Sequence, residues 1–231
     1  MMLKACIFDL DGTLLDRDGS LPAFLERQHE RYFNALGSIP LDVYQQRFIE
    51  LDQRGYVWKD VVYQQLLEQF QVDKIDADTL LHDYVEHFHL DCRAFPGVHE
   101  TLQQLQDNGI LLGMITNGRT QFQRKNFQAI GIEKYFQVIL ISEQEGIAKP
   151  AAEIFEKALR LLNVKADETI FVGDHPANDV QAARAVGMKG IWKRDDYWPE
   201  PAETDGIIVQ IPELLAHIDE IEKRIRLSNE K

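Results

Sequence analysis

The chain has 231 residues, of which 45% are hydrophobic and 27% are charged, so it is long enough for a globular α/β domain with a smaller second lobe. Its formal net charge of −13 at pH 7 argues against a general affinity for nucleic acids or anionic membranes, and a site for an anionic ligand would need a cation to offset that charge. With two cysteines, no secretory signal pattern and no apolar run near the ~20 residues of a membrane span, we expect a cytoplasmic protein with no membrane partner.

The first predicted element is a buried strand, because residues 3–8 (LKACIF) form a short apolar run. From about residue 20 to residue 90 the apolar residues recur at the three- and four-residue intervals of amphipathic helices, in four successive patterns. The first pattern extends from Leu21 to Leu36 and includes Phe33. We therefore predict a small helical bundle inserted after the first strand.

Beyond Phe95-Pro96-Gly97 the apolar rhythm changes to strands alternating with helices. Strands are predicted at 110–115, 138–141, 169–172, 188–192 and 207–211, with helices near 98–108, 121–130, 151–162, 177–186 and 212–226. Such alternation predicts an α/β fold, a Rossmann-like doubly wound parallel sheet with helices on both faces. The predicted domains are an α/β core at 1–15 and 95–231 and a helical cap at 16–94.

Polar residues follow four of the predicted strands, at the edge where ligands bind in open parallel sheets. In chain order they are Asp9 and Asp11, then Thr116 and Asn117, then Lys149, then Asp174 and Asp179. Clustered carboxylates repel one another and need a cation, and ligands that are all oxygens favour Mg²⁺. We expect Asp9, Asp174 and the main-chain carbonyl of Asp11 to bind it. Because Asp9 and Asp11 are two residues apart on an extended segment, one can attack while the other moves a proton.

These segments resemble the four-motif signature of the haloacid dehalogenase-like superfamily: DLDGT at 9–13, Thr116-Asn117, Lys149-Pro150 and GDHPAND at 173–179. The resemblance extends over essentially the whole chain. The helical insertion is similar to the cap of the phosphatase branch that includes phosphoglycolate phosphatases and β-phosphoglucomutases. The family's usual activity would make the chain a Mg²⁺-dependent phosphatase of small phosphomonoesters.

The resemblance also implies roles for individual residues. Asp9 would be the nucleophile that forms an aspartyl-phosphate, and Asp11 would be the general acid and base. Thr116, Lys149 and the main-chain N–H groups of Leu10, Asp11 and Asn117 would hold the phosphoryl group. Asp174 would bind Mg²⁺, and Asp179 would orient Lys149 or a metal-bound water.

Other activities use a similar arrangement. A sugar phosphomutase would need the same residues, with water kept out so that phosphate returns to the sugar. A 2-haloacid dehalogenase needs the nucleophile, but neither Asp11 nor a metal. A non-catalytic signalling domain phosphorylated on aspartate would lack both Asp11 and the helical insertion.

The motifs identify a class of substrate and no individual compound. We expect a small phosphorylated metabolite, such as a sugar, nucleotide or glycolate phosphate, and no nucleic acid partner. Arg54 lies at a break between two helical patterns and is a candidate for binding an anionic part of the substrate, and Lys59 is a weaker candidate of the same kind. The chain is expected to be a monomer or a homodimer.

Overall fold

The computed structural model describes residues 3–229, and within them six strands form one sheet. The strands are β1 (Ala5–Phe8), β2 (Leu111–Thr116), β3 (Val138–Ile141), β4 (Thr169–Gly173), β5 (Lys189–Lys193) and β6 (Gly206–Ile208). Every neighbouring pair is parallel, and the order is β3-β2-β1-β4-β5-β6. The chain therefore winds outward from β1 in both directions, which confirms the predicted doubly wound parallel sheet.

The centre of the sheet is apolar because its strands are covered on both faces. All four residues of β1 are buried, and in β4 every residue is buried as well. Helices of the α/β unit bury one stripe against the sheet, as α9 (Ala152–Leu162), between β3 and β4, does with Ile154, Phe155 and Leu162. Burial on both faces explains why these strands are continuous apolar runs and show no alternation.

The remaining helices of the α/β unit lie between successive strands, except the last, which follows β6. They are α6 (Val98–Asp107), α7 (Thr120–Ala129), α8 (Ser142–Glu145), α10 (Ala182–Ala185) and α11 (Glu213–Asn229). A π-helical turn at Pro176–Gln181 precedes α10, where the sequence predicted one continuous helix from 177 to 186.

Within the long segment between β1 and β2, Arg17–Cys92 forms a separate helical unit. Its helices are α1 (Arg17–Arg31), α2 (Phe33–Leu36), α3 (Leu41–Asp52), α4 (Lys59–Gln69) and α5 (Ala77–His87). Its core is aromatic, with Phe24, Phe48 and Tyr84 in edge or tilted ring contacts at centroid distances between 5.3 and 6.4 Å. The single helix predicted from Leu21 to Leu36 is wrong, because α1 ends at Arg31, and Phe33 is 62% exposed.

The α/β unit comprises the described residues up to Asp16 and from Arg93 onward. Its two chain segments meet where the helical insertion begins and ends, since the Asp16 N–H donates to the Arg93 carbonyl at 2.9 Å, and Leu15 and Ala94 form an antiparallel bridge. Within residues 3–229 no helix has both the length and the apolar composition needed to cross a bilayer.

Candidate active site

The register of the three central strands brings the predicted residues to one edge of the sheet. Phe8, the last residue of β1, lies opposite Met114 of β2 and Val172 of β4. Asp9 follows directly, at the level of Ile115 and Gly173, so Thr116 and Asp174 lie one position beyond it on the two neighbouring strands. This edge between β1 and β4 is where the winding direction reverses, the position at which doubly wound sheets bind their ligands.

A tight turn after β1 shapes the first part of the site. The Leu10 carbonyl accepts hydrogen bonds from the N–H groups of Leu14 and Leu15 at 2.9 Å each, which curls the chain back on itself. Gly12 occupies the left-handed region with φ of +81°, and a Cβ there would lie 2.7 Å from Oδ2 of Asp174. Glycine is needed at this position for the backbone conformation and also for the close approach to the Asp174 carboxylate.

Lys149 is the buried cation of the site. Its Nζ lies 2.6 Å from Oδ1 of Asp9 and 2.6 Å from Oδ1 of Asp179, and only 3% of its side chain is exposed. Burial lowers the pKa of a lysine, but here the charges of Asp179 and Asp9 outweigh burial and raise the pKa of Lys149 above its ordinary value. The ammonium therefore stays charged and holds two carboxylates, one directly after β1 and one in the π-helical turn after β4.

Asp9 is buried at the carboxyl end of β1. Burial is the largest influence on its carboxyl group and raises the pKa, the ammonium of Lys149 lowers it, and the negative charge of Asp179 raises it again. The balance is a pKa raised to about 6. Above that pH Asp9 is an ionised, poorly hydrated carboxylate, the form in which a carboxylate can act as a nucleophile.

Three carboxylates form a compact oxygen cluster. Asp9, Asp174 and Asp179, all buried, each offer an oxygen atom within 4.8 Å of the others. A divalent cation with hard-oxygen preference fits this donor set, because oxygen atoms alone line it and their mutual repulsion requires positive charge. The indole N–H of Trp192 donates to the Asp174 main-chain carbonyl at 2.6 Å and fixes the backbone beside the cluster.

The π-helical turn after β4 places Asp179. Its Oδ2 accepts from the N–H of His175 at 3.0 Å, while Nδ1 of His175 accepts from the N–H groups of Ala177 and Asn178 at 3.1 Å. The His175 ring is therefore a cap with an unprotonated Nδ1, and burial together with the charge of Lys149 lowers its pKa. Through these hydrogen bonds His175 and Asn178 stabilise the turn that holds Asp179.

The segment after β2 contributes Thr116 and Asn117. Thr116 is buried at the end of β2. The side chain of Asn117 is bound to the main chain of Lys149 in both directions: its Nδ2 donates to the Lys149 carbonyl at 2.9 Å, and its Oδ1 accepts from the Lys149 N–H at 2.9 Å. The sequence assigned only the main-chain N–H of Asn117 to the site, so this clamp on the lysine segment was missed.

Asp11 and the predicted Thr116 are joined by a residue that the sequence analysis also missed. Gln123 of α7 is 2% exposed, and its Nε2 lies 2.6 Å from Oδ2 of Asp11 and 2.7 Å from Oγ1 of Thr116. Its position was detectable in principle, because a glutamine falls among the phenylalanines on the buried stripe of α7. Metal binding by the Asp11 carbonyl and phosphate binding by the N–H groups of Leu10, Asp11 and Asn117 stay predictions.

The two cationic candidates of the helical unit have partners within that unit. Arg54, in the turn Gln53–Gly55, pairs with Asp18, and substrate binding by Arg54 stays a prediction. Lys59 is 2% exposed and pairs with Asp52. Substrate binding by Lys59 also stays a prediction.

Comparison with known proteins relates this geometry to a family. The haloacid dehalogenase-like hydrolase family matches residues 6–193, which include the whole carboxyl edge described above. A glyceraldehyde 3-phosphate phosphatase from Pyrococcus abyssi is 30% identical over 197 residues, covering 83% of this chain and 81% of that protein. The match to the Pyrococcus furiosus protein of the same name is 35% identical over 128 residues and spans only about half of each chain, 53%.

Solved structures show the same fold. The magnesium-bound putative hydrolase YfnB from Bacillus subtilis has a TM-score of 0.77 at 23% identity, covering 95% of this chain and 100% of that one. A 2-haloacid dehalogenase from Pseudomonas syringae has a TM-score of 0.62 at 27% identity, covering 95% of this chain and 99% of that one. With four motifs at one sheet edge and a family match over most of its length, the chain belongs to the haloacid dehalogenase-like hydrolase family.

Proposed function

We propose that the chain is a Mg²⁺-dependent phosphatase that hydrolyses small phosphomonoesters. The observation that carries the proposal is the position of Asp9, buried against Lys149 and beside two further carboxylates at the carboxyl edge of the sheet. A nucleophilic carboxylate next to a fixed ammonium and a cation-binding cluster suits attack on a phosphoryl group, whose three oxygens carry the charge.

The proposed reaction has two steps. In the first, an oxygen of Asp9 bonds to phosphorus, the bond from phosphorus to the ester oxygen breaks, and Asp11 gives its proton to the departing alcohol. In the second, Asp11 takes a proton from water, the water oxygen bonds to phosphorus, and the Asp9 carboxylate leaves. The products are an alcohol and inorganic phosphate, and both aspartates return to their initial states.

The surrounding groups bind and orient the phosphoryl oxygens. Lys149 offsets the charge between the Asp9 carboxylate and the incoming phosphate. Thr116 donates its hydroxyl hydrogen to a phosphoryl oxygen, and the main-chain N–H groups of Leu10, Asp11 and Asn117 complete the set of donors. Asp179 holds Lys149 in place through the contact of 2.6 Å.

Mg²⁺ would be held by the carboxylates of Asp9 and Asp174 and by the Asp11 carbonyl, and it would neutralise charge on the phosphoryl group. The fit rests on the oxygen-only cluster and on the space that Gly12 leaves beside the Asp174 carboxylate.

The relatives' names favour a small sugar-derived phosphate as substrate, since the matched Pyrococcus proteins are named for glyceraldehyde 3-phosphate. Arg54 is the proposed contact for a second anionic or polar group of that substrate. The cytoplasmic location and the monomeric or homodimeric state stay predictions.

A dehalogenase is the second candidate, since dehalogenases share this fold. Two features of the chain favour the phosphatase: the acid Asp11 two residues after the nucleophile, and the cation-binding cluster of Asp9, Asp174 and Asp179. A phosphomutase would use the same groups. Its product distinguishes it from a phosphatase, because only a phosphatase releases inorganic phosphate from a monoester without a sugar bisphosphate activator.

The direct test is phosphate release from p-nitrophenyl phosphate, followed by a screen of phosphorylated metabolites, with Mg²⁺ and with EDTA. We expect turnover that requires Mg²⁺, no activity in freshly purified Asp9→Asn protein, and a severely reduced rate in Asp11→Asn protein. Asp107→Asn, at an exposed position of α6, is the matched control and should keep full activity. Chloride release from 2-chloropropionate without phosphatase activity, or near-normal phosphate release by Asp9→Asn, would contradict the proposal.

A further inference from the structure

Gln123 occupies a position in the site that the proposed reaction has not yet used. Its side chain is buried between Asp11 and Thr116, the groups proposed to move the proton and to bind the phosphoryl oxygen. Burying a primary amide is unfavourable unless its hydrogens and its oxygen have partners. Each polar atom of Gln123 has one, which makes its orientation specific.

The hydrogen bonds fix which end of the amide faces the catalytic groups. Nε2 is 2.6 Å from Oδ2 of Asp11, 2.7 Å from Oγ1 of Thr116 and 3.2 Å from the Asn117 carbonyl. Oε1 accepts from Nδ2 of Asn126 at 3.3 Å. The reversed amide would aim its oxygen at the Asn117 carbonyl, which has no hydrogen to donate, and its nitrogen at the donor Nδ2 of Asn126, so the orientation with nitrogen toward Asp11 is the stable one.

This orientation determines the direction of the Thr116 hydroxyl. An amide nitrogen only donates, so Oγ1 of Thr116 must accept from Gln123. The hydroxyl hydrogen is then not used between these two residues and can point to a phosphoryl oxygen. The same amide holds Oδ2 of Asp11, which restricts rotation of that carboxylate about its side-chain bonds.

The turn after β2 holds the Gln123 side chain itself in place. A Cβ at Gly118 would lie 2.9 Å from Cγ and 3.1 Å from Cδ of Gln123, so the glycine lets the turn pack directly on the glutamine. With its stem packed against this turn and its amide oxygen bound to Asn126, the amide cannot swing away without losing both contacts.

We infer that Gln123 is a positioning residue that orients the acid–base Asp11 and the phosphate-binding Thr116 through one amide group, an inference that rests on the proposed function. Asp11 acts most strongly on substrates whose leaving group needs a proton. Loss of its orientation should therefore affect alkyl phosphates, which leave as poor alkoxides, more than p-nitrophenyl phosphate, whose phenolate leaves without a proton.

The test is the kcat/KM of Gln123→Met on two substrates: p-nitrophenyl phosphate, and the alkyl phosphate that the wild type hydrolyses fastest in the metabolite screen. kcat/KM covers the steps through departure of the alcohol, so it isolates the role of Asp11 as acid. Methionine keeps the length and volume of glutamine without its donors. We expect kcat/KM to fall roughly tenfold to hundredfold more for the alkyl phosphate than for the aryl phosphate.

Two further variants separate this role from general packing. Gln123→Glu keeps the shape but places carboxylate oxygens against Asp11, and it should show the same selective loss even if the methionine protein folds poorly. Gln128→Met, at an exposed position of the same helix, should leave both rates unchanged. In an Asp11→Asn background the Gln123 substitution should add no further selective loss, because positioned and positioning groups act as one unit.

The outcomes are distinguishable. Equal losses on both substrates in folded Gln123→Met and Gln123→Glu proteins would overturn the inference and leave the phosphatase in place, with Gln123 a scaffold only. Failure of the wild type to release phosphate from any ester would overturn the proposed function, and the inference with it.

Discussion

Replacing Lys149 by methionine should make the stability of the protein depend on Mg²⁺. The substitution leaves the carboxylates of Asp9, Asp174 and Asp179 within 4.8 Å of one another with no cation between them. At an effective dielectric constant of about 20, each 2.6 Å contact of Lys149 gives roughly 6 kcal/mol of attraction, and each carboxylate pair gives about 3 kcal/mol of repulsion at the outer limit of the cluster.

The net loss in the free energy of unfolding is smaller than these attraction and repulsion energies. In the wild type, burying the ammonium is itself unfavourable, and in the variant a carboxylate can take up a proton. Removing one partner of a buried ionic cluster commonly destabilises by about 3–5 kcal/mol. For a protein of this size that corresponds to a melting temperature lower by roughly 6–20 °C.

The assay is thermal unfolding followed by far-UV circular dichroism at pH 8, in EDTA and in Mg²⁺. We expect Lys149→Met to be strongly destabilised in EDTA and to recover part of the loss in Mg²⁺, since the ion supplies the missing positive charge. Lys74→Met, at an exposed position between α4 and α5, is the control and should melt with the wild type. A Lys149→Met protein that melts within about 2 °C of the wild type in EDTA would refute the electrostatic account of the cluster.

Three other substitutions test separate contacts of the site. Gly12→Ala should raise the Mg²⁺ concentration for half-maximal activity about tenfold or more, because its Cβ displaces the Asp174 carboxylate; an unchanged Mg²⁺ titration would show that the turn has room. Asn117→Leu should lower the free energy of unfolding, measured in urea, by about 1–3 kcal/mol, because the main-chain N–H and carbonyl of Lys149 lose their partners. A free energy equal to that of the wild type would mean that water replaces the amide. In EDTA the folded protein binds a proton at Asp9 more tightly than the unfolded chain, with pKa about 6 against 3.8, so this group makes the protein more stable as the pH falls through 6. The gain at pH 5 relative to pH 8 is about 1.4 kcal/mol, and Asp9→Asn should abolish it; the same pH dependence in both proteins would contradict the raised pKa.

The sheet was predictable because buried strands leave a strong local signal. The apolar runs at 138–141 and 169–172 match β3 and β4 to within one residue, and the polar residues after β1, β2 and β4 meet as expected. The helix predicted through Phe33 fails for a physical reason, since apolar spacing alone does not show where the chain turns between two short helices. Phe33 fits the pattern and is exposed all the same.

Within the site, the groups proposed to perform chemistry were easier to predict than those that hold them in place. Asp9 and Asp174 are charged residues that directly follow strands, and Lys149 lies in the segment between β3 and α9; few structural roles compete with a functional one at these positions. Gln123 and Asn117 act through amide hydrogen bonds, which depend on which residue of another segment lies within about 3 Å. The folded structure determines this, and the spacing of residues along the sequence does not indicate it.

The joined ends of the helical insertion have a consequence for how such proteins can diversify. Because Asp16 and Arg93 already touch through a main-chain hydrogen bond, the sheet does not depend on the length or content of what lies between them. A short turn, or an unrelated bundle, could span the same gap while β1 and β2 kept their pairing. The carboxyl edge of the sheet and the helical insertion are thus separable parts of the chain, and one can change without rebuilding the other.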